Sequence, residues 1–233
     1  MGGITYFEVM SIMERKALHE AEQKLIADQA RAPRLPYRHL WRGELAQVWG
    51  EEQAGSFMAD AEDSNKHLYA NRPVYDHQAL HHHLVNYILP ALALYFSLRT
   101  QGFDKEAALT LVGRLFRSAM STTRRKLAFL GQFRVIYSLI RFLTPRFMCA
   151  NFPPEGFDVE WQEISSQSIT FIIHTCFYLD VFNKYDAPEL TVVFCDLDDY
   201  VYTDVSPHFI WMPTRTLGRG RAFCDFRFIN THS

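Results

Sequence analysis

The pattern of apolar and polar residues changes once along the chain, at residues 151–154. Before this point the apolar residues recur at helical spacing, and the predicted helices cover residues 5–30, 43–61, a main stretch ending near Arg99, 105–120 and 124–143. After it, runs of β-branched and aromatic residues predict four strands, over residues 160–164, 168–178, 208–214 and 222–229. The pattern therefore predicts an α+β fold, with an amino-terminal helical layer packed on a carboxy-terminal antiparallel sheet of about four strands.

Breaking residues refine this outline. Pro90 lies inside the main helix and predicts a kink there, and Asp104 is a good cap for the helix that follows. Thr144-Pro145 predicts a break in the helical pattern before the change at residues 151–154. Within the second half, a helix is predicted over residues 189–202, and residues 217–221 predict a hairpin turn between the last two strands.

Length and composition limit the fold and exclude one class of partner. The chain has 233 residues, of which 48% are hydrophobic, enough for one sizeable core. We expect a helical amino-terminal extension over residues 1–72 and an α+β domain over residues 73–233, together forming one compact unit. A formal net charge of -2, with both signs mixed, gives no argument for a nucleic-acid partner. A small-molecule substrate is the expected partner, and homo-oligomer formation is left open.

Two features indicate a cytoplasmic location. No cleavable apolar leader opens the sequence, and four cysteines are too few for a disulfide scaffold in a chain of this length. We therefore expect four free thiols. The longest apolar run, residues 84–98, is shorter than the roughly twenty residues that span a bilayer, and Asn86 and Pro90 interrupt it. No membrane attachment is expected.

Cysteines supply a nucleophile when a base, a cation or a helix start turns the thiol into a thiolate. Cys195 falls near the start of a predicted helix, within one turn of Asp198 and Asp199, and Cys224 falls in the last strand. Carboxylates beside Cys195 would raise its pKa, which argues against an unaided nucleophile. The competing interpretation is that each cysteine is a small core residue. A metal site that adds Cys176 and His174 to these thiols is only weakly indicated without a Cys-x-x-Cys pair, so we predict no metal and no cofactor.

Histidines and aspartates form two more groups of titratable side chains. His77 and His81 are four residues apart and share one helical face, as an acid–base pair or a metal pair requires, whereas His82 and His83 point elsewhere. Exposed histidines beside a helix are the competing interpretation. The aspartates that suggest a proton-handling or cation-binding cluster are Asp196, Asp198, Asp199 and Asp204. A solvated acidic face is the alternative there.

Several short runs follow one another in a recognisable order. They are Ile88-Leu89-Pro90-Ala91-Leu92-Ala93-Leu94-Tyr95, Pro188-Glu189-Leu190, Cys195-Asp196, Arg215-Thr216-Leu217-Gly218 and Cys224-Asp225-Phe226-Arg227-Phe228. Over residues 77–230 the chain resembles the L-2-amino-thiazoline-4-carboxylic acid hydrolase family. The resemblance implies a hydrolase that opens a carbon–nitrogen bond of a small cyclic amidine such as 2-amino-thiazoline-4-carboxylate.

The resemblance also implies a site made from residues that are distant in sequence. The catalytic candidates are Cys195, Asp199, Cys224, His77 and His81. On this hypothesis an aspartate or a histidine activates water or a thiol for attack on the amidine carbon. Arg215 would hold the substrate carboxylate, and Tyr95 and Trp211 are further substrate-binding candidates. These side chains should then meet in one cavity between the helices and the sheet.

The aromatic-rich interior leaves two alternatives open. The four tryptophans, which suit a bulkier and more apolar ligand, are Trp41, Trp49, Trp161 and Trp211. The second hypothesis is therefore a natural-product tailoring enzyme of secondary metabolism, a cyclase or an isomerase on the same fold, and the third is a non-catalytic binding protein. A cavity lined by Phe and Trp with one or two polar groups would favour the cyclase or isomerase. A compact polar pocket around Cys195, Asp199 and Arg215 would favour the hydrolase.

Overall fold

The computed structural model describes residues 27 and 31–232, which form an α+β fold as predicted. The helices are α1 (Arg38–Trp49), α2 (Glu51–Ala70), α3 (Gln78–His83), α4 (Leu89–Thr100), α5 (Lys105–Leu130), α6 (Ile136–Asn151), α7 (Phe177–Lys184) and α8 (Leu190–Tyr202). The strands are β1 (Val159–Ile164), β2 (Ser168–Ile173), β3 (Phe209–Trp211) and β4 (Cys224–Asn230). The helix predicted over residues 5–30 lies outside the described residues, apart from Ala27.

Two helices, α1 and α2, replace the single helix predicted over residues 43–61. They meet at Gly50, whose φ of +83° is readily adopted by glycine and strained for other residues. The fully buried indole of Trp41 in α1 donates a hydrogen bond to the carbonyl oxygen of Leu115 in α5, at 2.9 Å. α2 packs along α4. Both helices therefore contribute to the same hydrophobic core as the later elements.

The main helical stretch changes its register around Pro90. α3 runs into a π-helical turn, Leu84–Ile88, and α4 follows directly. Because Pro90 has no N–H, the α-helical bond to the carbonyl of Asn86 cannot form. The chain adopts the wider turn instead, in which the N–H of Leu89 bonds to the carbonyl of Leu84. α4 itself is apolar on nearly all sides, and it is buried as such a helix must be.

The boundary predicted between the helices over residues 105–120 and 124–143 is wrong, because α5 continues through residues 121–130 and α6 begins only at Ile136. Asp104 caps α5 as expected, because its Oδ1 accepts a hydrogen bond of 2.7 Å from the N–H of Ala107. α5 then continues to Leu130. The break predicted at Thr144-Pro145 is wrong, since α6 runs through Pro145 to Asn151. Packing of the buried face of α6 evidently outweighs the one helical hydrogen bond that a proline removes.

The sheet has the strand order β1-β2-β4-β3, and all neighbouring strands are antiparallel. Phe171 of β2 is opposite Phe226 of β4, and Trp211 of β3 is opposite Phe228. Alternation along the strands places these four aromatic side chains on the face that meets the helices. The neighbouring Asp225 therefore belongs to the other face.

Two connections differ from the prediction, and one element confirms it. β2 ends at Ile173, and the chain from Phe177 onward forms α7 instead of continuing the strand. Between β3 and β4 the predicted hairpin turn is a 3₁₀ turn, Leu217–Arg219, closed by Gly220 at a φ of +74°. α8 confirms the helix predicted over residues 189–202. All four cysteines are free, and no helix within the described ranges is long and apolar enough to cross a membrane.

Candidate active site

A cavity of about 320 Å³ lies between α6, the end of α5, α8 and the inner face of the sheet. α6 forms one wall, and its lining residues include Leu139, Ile140, Leu143, Thr144 and Phe147. The sheet forms the facing wall, with Phe171, Ile173, Trp211, Phe226 and Phe228. Nearly all of this lining is apolar, so the cavity suits a ligand with an apolar body.

The aromatic wall is ordered by stacking and by one hydrogen bond. The Trp211 ring stacks on Phe226, with 5.3 Å between ring centroids and 17° between planes. Its indole Nε1 donates a hydrogen bond of 3.1 Å to Oδ1 of Asp199. The other carboxylate oxygen of Asp199 lies 3.6 Å from the guanidinium of Arg219. Asp199 therefore orients the Trp211 ring and does not itself line the cavity.

The carboxyl group that does line the cavity belongs to Asp198. The Asp198 side chain is exposed because it faces the open space of the cavity. Protein atoms nevertheless surround it densely. This dense protein surrounding limits hydration of the carboxylate and, followed by repulsion from the Asp199 carboxylate, raises the pKa of Asp198 to about 7. A carboxyl group with this pKa is present in both protonation states near neutral pH. Such a group is suited to general acid–base chemistry.

A second polar group of the cavity, Tyr202, follows Asp198 by one helical turn. Burial and the nearby Asp198 raise the pKa of Tyr202 to about 12, so its phenol stays protonated and can donate a hydrogen bond. The Tyr178 hydroxyl also lies close enough to Asp198 for that carboxyl to raise its pKa, after burial and Tyr87. Both phenols therefore lie within electrostatic range of the Asp198 carboxyl.

Tyr178 is held in turn by a buried histidine. His83 Nε2 lies 2.8 Å from the carbonyl oxygen of Asn151, which can only accept, so Nε2 carries the hydrogen. Burial lowers the pKa of His83, which favours the neutral ring. Its Nδ1 then accepts a hydrogen bond of 2.9 Å from the Tyr178 hydroxyl. The inward-facing histidine of the group is thus His83, which lies off the helical face that His77 and His81 share.

His77 and His81 have a different setting. The Nδ1 atom of His77 accepts a hydrogen bond of 3.1 Å from the N–H of Ala79, so this side chain caps α3. His81 is exposed on α3. Neither residue lines the cavity. The structure therefore does not bring these two histidines together with the thiols at this cavity, because His77 caps α3 and His81 faces solvent.

The candidate thiols lie near each other beside the cavity. Cys195 Sγ packs against the 3₁₀ turn, since a Cβ on Gly218 would lie 2.9 Å from it. Cys224 Sγ accepts a hydrogen bond of 3.2 Å from the N–H of Leu217. Burial raises the pKa of Cys195, and it raises the pKa of Cys224 to about 12 and that of Cys176 to about 11. These environments favour the neutral thiol, and none of the three cysteines lines the cavity.

The three expected substrate-binding residues separate in the structure. Trp211 lines the cavity. Arg215 stands with Asp225 and Arg227 in a hollow on the other face of the sheet, where its guanidinium lies 5.2 Å from the Phe223 ring centroid. Tyr95 is buried between helices and donates a hydrogen bond of 2.6 Å to Oε1 of Glu189. Neither Arg215 nor Tyr95 reaches the cavity, so the expected single pocket does not form.

Asp198 was not among the catalytic candidates, although the sequence carried a signal for it. On a helix its neighbours three and four residues away are Phe194, Cys195, Val201 and Tyr202, all apolar or aromatic. Asp199 instead has Asp196 and Thr203 among its corresponding neighbours. The position of Asp198 on the apolar side of α8 is what distinguishes it. Among the described residues, no group of three or more His, Cys, Asp or Glu side chains could hold a metal ion.

Comparisons with known proteins agree with the resemblance noted in the sequence. A model of the L-2-amino-thiazoline-4-carboxylic acid hydrolase family matches residues 83–228. This range contains every residue that lines the cavity. No curated protein matches the chain.

Two solved structures show weak similarity. The Fe(II) unliganded H-NOX protein from K. algicida is 10% identical, covering 86% of this chain and 98% of its own, with a TM-score of 0.35. A point mutant of that protein is also 10% identical, covering 83% and 94%, with a TM-score of 0.33. Both TM-scores are too low to relate the folds.

Proposed function

The chain belongs to the L-2-amino-thiazoline-4-carboxylic acid hydrolase family, and on that premise we propose that it hydrolyses a cyclic amidine-type substrate bound in the cavity, with Asp198 as general acid–base. One observation carries this proposal: the Asp198 carboxyl lines an apolar cavity, in surroundings that raise its pKa to about 7. Catalytic carboxyl groups are commonly tuned toward neutrality in this way.

The proposed chemistry needs little besides this carboxyl and a positioned water. In its ionised form Asp198 takes a proton from water as the oxygen attacks the amidine carbon. The protonated acid returns this proton to the ring nitrogen, and as the tetrahedral intermediate collapses to a carbonyl the same carboxyl passes the second proton of the former water to the departing nitrogen. The Tyr202 hydroxyl, which stays protonated, is available to donate a hydrogen bond to charge that develops on the substrate.

The lining of the cavity supports a substrate with a larger apolar portion than 2-amino-thiazoline-4-carboxylate has. Aromatic side chains face leucines across the cavity, and the ionisable groups among the lining residues are Asp198 and Tyr202. Arg215, which would hold a carboxylate, stands on the other face of the sheet. We therefore propose that recognition in the cavity rests on apolar contact and not on a carboxylate clamp.

A second candidate is favoured by the same apolar lining. In a cyclase or an isomerase, Asp198 would move a proton from one atom of the substrate to another, and bulk water would be excluded. The two reactions place Asp198 in the same acid–base role and differ in whether water enters the product.

Labelled water separates the two candidates. The protein is incubated with 2-amino-thiazoline-4-carboxylate and with its benzyl ester in oxygen-labelled water. The masses of the products are then measured by mass spectrometry. Hydrolysis adds one labelled oxygen to the product, whereas isomerisation leaves the mass unchanged. We expect labelled product and a higher kcat/KM for the ester. A preference for the free acid that is lost in Arg215→Ala would contradict the apolar recognition.

Matched variants test the site. Asp198→Asn should lower kcat by roughly 10²- to 10⁴-fold, the usual contribution of a general acid–base. Asp196→Asn is the control, because Asp196 lies on the same helix but pairs with Arg219 and Arg117 away from the cavity. Equal activity in both variants would remove Asp198 from the mechanism.

A further inference from the structure

The end of α5 and the length of α6 expose a large apolar surface around the mouth of the cavity. The exposed aromatic side chains are Phe129 at 67%, Phe133 at 51%, Phe142 at 56% and Phe147 at 54%. Leu130, Leu139 and Leu143 are also exposed, and these three leucines line the cavity as well. The apolar lining thus continues from the cavity onto the surface. Contiguous exposed apolar surface of this kind marks an interaction site.

The same part of the chain is strongly basic. Residues 107–154 contain no Asp and no Glu, and their basic residues are Arg114, Arg117, Arg124, Arg125, Lys126, Arg134, Arg141 and Arg146. Because the whole chain has a formal net charge of -2 and this segment carries +8, the remainder carries -10. Positive charge is therefore concentrated in the stretch of chain that also carries these exposed phenylalanines and leucines.

Basic and apolar side chains alternate closely on this surface. Arg125 and Lys126 share a groove with Phe129 and Leu130. The guanidinium of Arg146 lies 3.8 Å from the centroid of the Phe142 ring. We define the basic apolar face as Arg125, Lys126, Phe129, Phe133, Arg134, Phe142, Leu143, Arg146 and Phe147. Its four cations are exposed, and within the described part of the chain none is ion-paired with a carboxylate.

We propose that the basic apolar face docks this protein on the surface of an anionic lipid bilayer, with the cavity mouth turned toward the lipid. Cations would contact the acidic headgroups, while phenylalanine and leucine side chains would enter the boundary between headgroups and acyl chains. A helix that lies on a bilayer needs no spanning apolar run. The expected absence of a membrane partner rested on spanning length, and charge together with exposure now favours surface contact.

Other occupants fit this face less well. Two copies of the chain that met through it would bring like charges together, which is unfavourable. Single-stranded nucleic acid could stack its bases on the exposed phenylalanines, but it would leave the leucines around the cavity mouth without an apolar partner. An anionic bilayer matches both the charge and the aliphatic surface. If the proposed function holds, an apolar substrate could pass from the lipid into the cavity; the docking itself does not depend on turnover.

Vesicle binding by the full chain tests the docking directly. Flotation is measured with vesicles of phosphatidylcholine alone and with vesicles containing roughly one third phosphatidylserine. We expect binding to the anionic vesicles that weakens as salt rises, and little binding to the neutral ones. Phe129→Ser/Phe142→Ser and Arg125→Glu/Lys126→Glu should each reduce the partition coefficient about tenfold or more.

Two control variants carry the same changes elsewhere on the surface. Val48→Ser/Val74→Ser removes exposed apolar side chains outside the face, and Arg34→Glu/Arg221→Glu reverses exposed charges outside it. Both should bind like the unaltered chain, and circular dichroism confirms that every variant is folded. Failure of the full chain to bind anionic vesicles overturns the proposal, as does equal loss in face and control variants. A dimer in sedimentation that dissociates in Phe129→Ser/Phe142→Ser, without vesicle binding, assigns the face to a second copy instead.

Discussion

Replacing Asp198 by asparagine should make the protein more stable at alkaline pH while it disables the proposed reaction. The change keeps the size of the side chain and removes its ability to ionise. In the native protein the carboxyl pKa rises from its usual 3.8 to about 7, because burial and Asp199 disfavour the charged form. The folded protein must therefore hold an unfavourable charge above neutral pH.

The size of the effect follows from this shift. For a carboxyl that no solvent reaches, a rise in pKa from 3.8 to about 7 corresponds to about 4 kcal/mol of folding free energy. Asp198 faces a cavity that admits water, and screening there reduces the figure to about 1–3 kcal/mol. For a chain of this length that gain corresponds to a rise in Tm of roughly 2–10 °C.

The sign depends on pH. Below a pH of about 4 the folded and unfolded chains both hold the proton, so the group contributes nothing to stability. As the pH rises from about 4 to about 7 the unfolded chain ionises first, and the folded state loses stability. Above about 7 the whole penalty is present. Asp198→Asn should therefore match the unaltered protein near pH 4 and exceed it near pH 8.

Thermal unfolding at both pH values measures this difference without any substrate. Asp199→Asn is the matched control, since Asp199 is adjacent but bonds to the Trp211 indole and lies near Arg219. We expect that control to change stability by less than about 1 kcal/mol, because an amide oxygen can still accept the indole hydrogen bond. Destabilisation of Asp198→Asn near pH 8, or an equal gain in the control, would refute the reasoning about the cavity carboxyl.

Three further substitutions have expected outcomes. Cys195→Ser should keep most of its turnover, because burial raises the pKa of that thiol and the thiol does not line the cavity; loss of activity in the folded variant would restore the nucleophile hypothesis. Gly218→Ala should lower the free energy of unfolding in urea by roughly 1–3 kcal/mol, because the new Cβ would lie 2.9 Å from Cys195 Sγ and from Thr191 Cγ2. The control Gly43→Ala places its Cβ in open space and should not destabilise the protein. Tyr95→Phe should cost about 1 kcal/mol through its bond to Glu189 and leave activity intact, and a raised KM would show that Tyr95 binds substrate after all.

Local patterns predicted most of the elements, and the errors have identifiable causes. Aromatic and β-branched runs located all four strands, and helical spacing located α5 and α8. The turn that separates α1 from α2 depends on one glycine, Gly50, and gives little signal in a helical pattern. At Pro145 the pattern predicts a break that does not occur, because packing of a whole helix face can override one missing hydrogen bond.

The site was harder to predict because it depends on which face of each element turns inward. The alternation of side chains along a strand separates Cys224 and Phe226 from Asp225 on β4, but it does not say which partners the inner face meets. Family resemblance directed attention to Cys195 and Asp199, whereas the cavity selects their neighbour Asp198. A shift of one residue on a helix turns a side chain by about 100°, enough to exchange a surface acid for a cavity acid.

Stability alone explains neither the cavity carboxyl nor the basic apolar face. Ionised Asp198 disfavours folding, since its pKa is raised. Exposed phenylalanines such as Phe129 and Phe142 bury too little surface to add much to the folding free energy. Features that folding does not require, placed in the lining and at the mouth of one cavity, are best explained by what the cavity binds. Phe129→Ser/Phe142→Ser should accordingly change the free energy of unfolding by less than about 0.5 kcal/mol each while vesicle binding falls. A large loss of stability in that variant would mean that these rings belong to the core and that the face is structural.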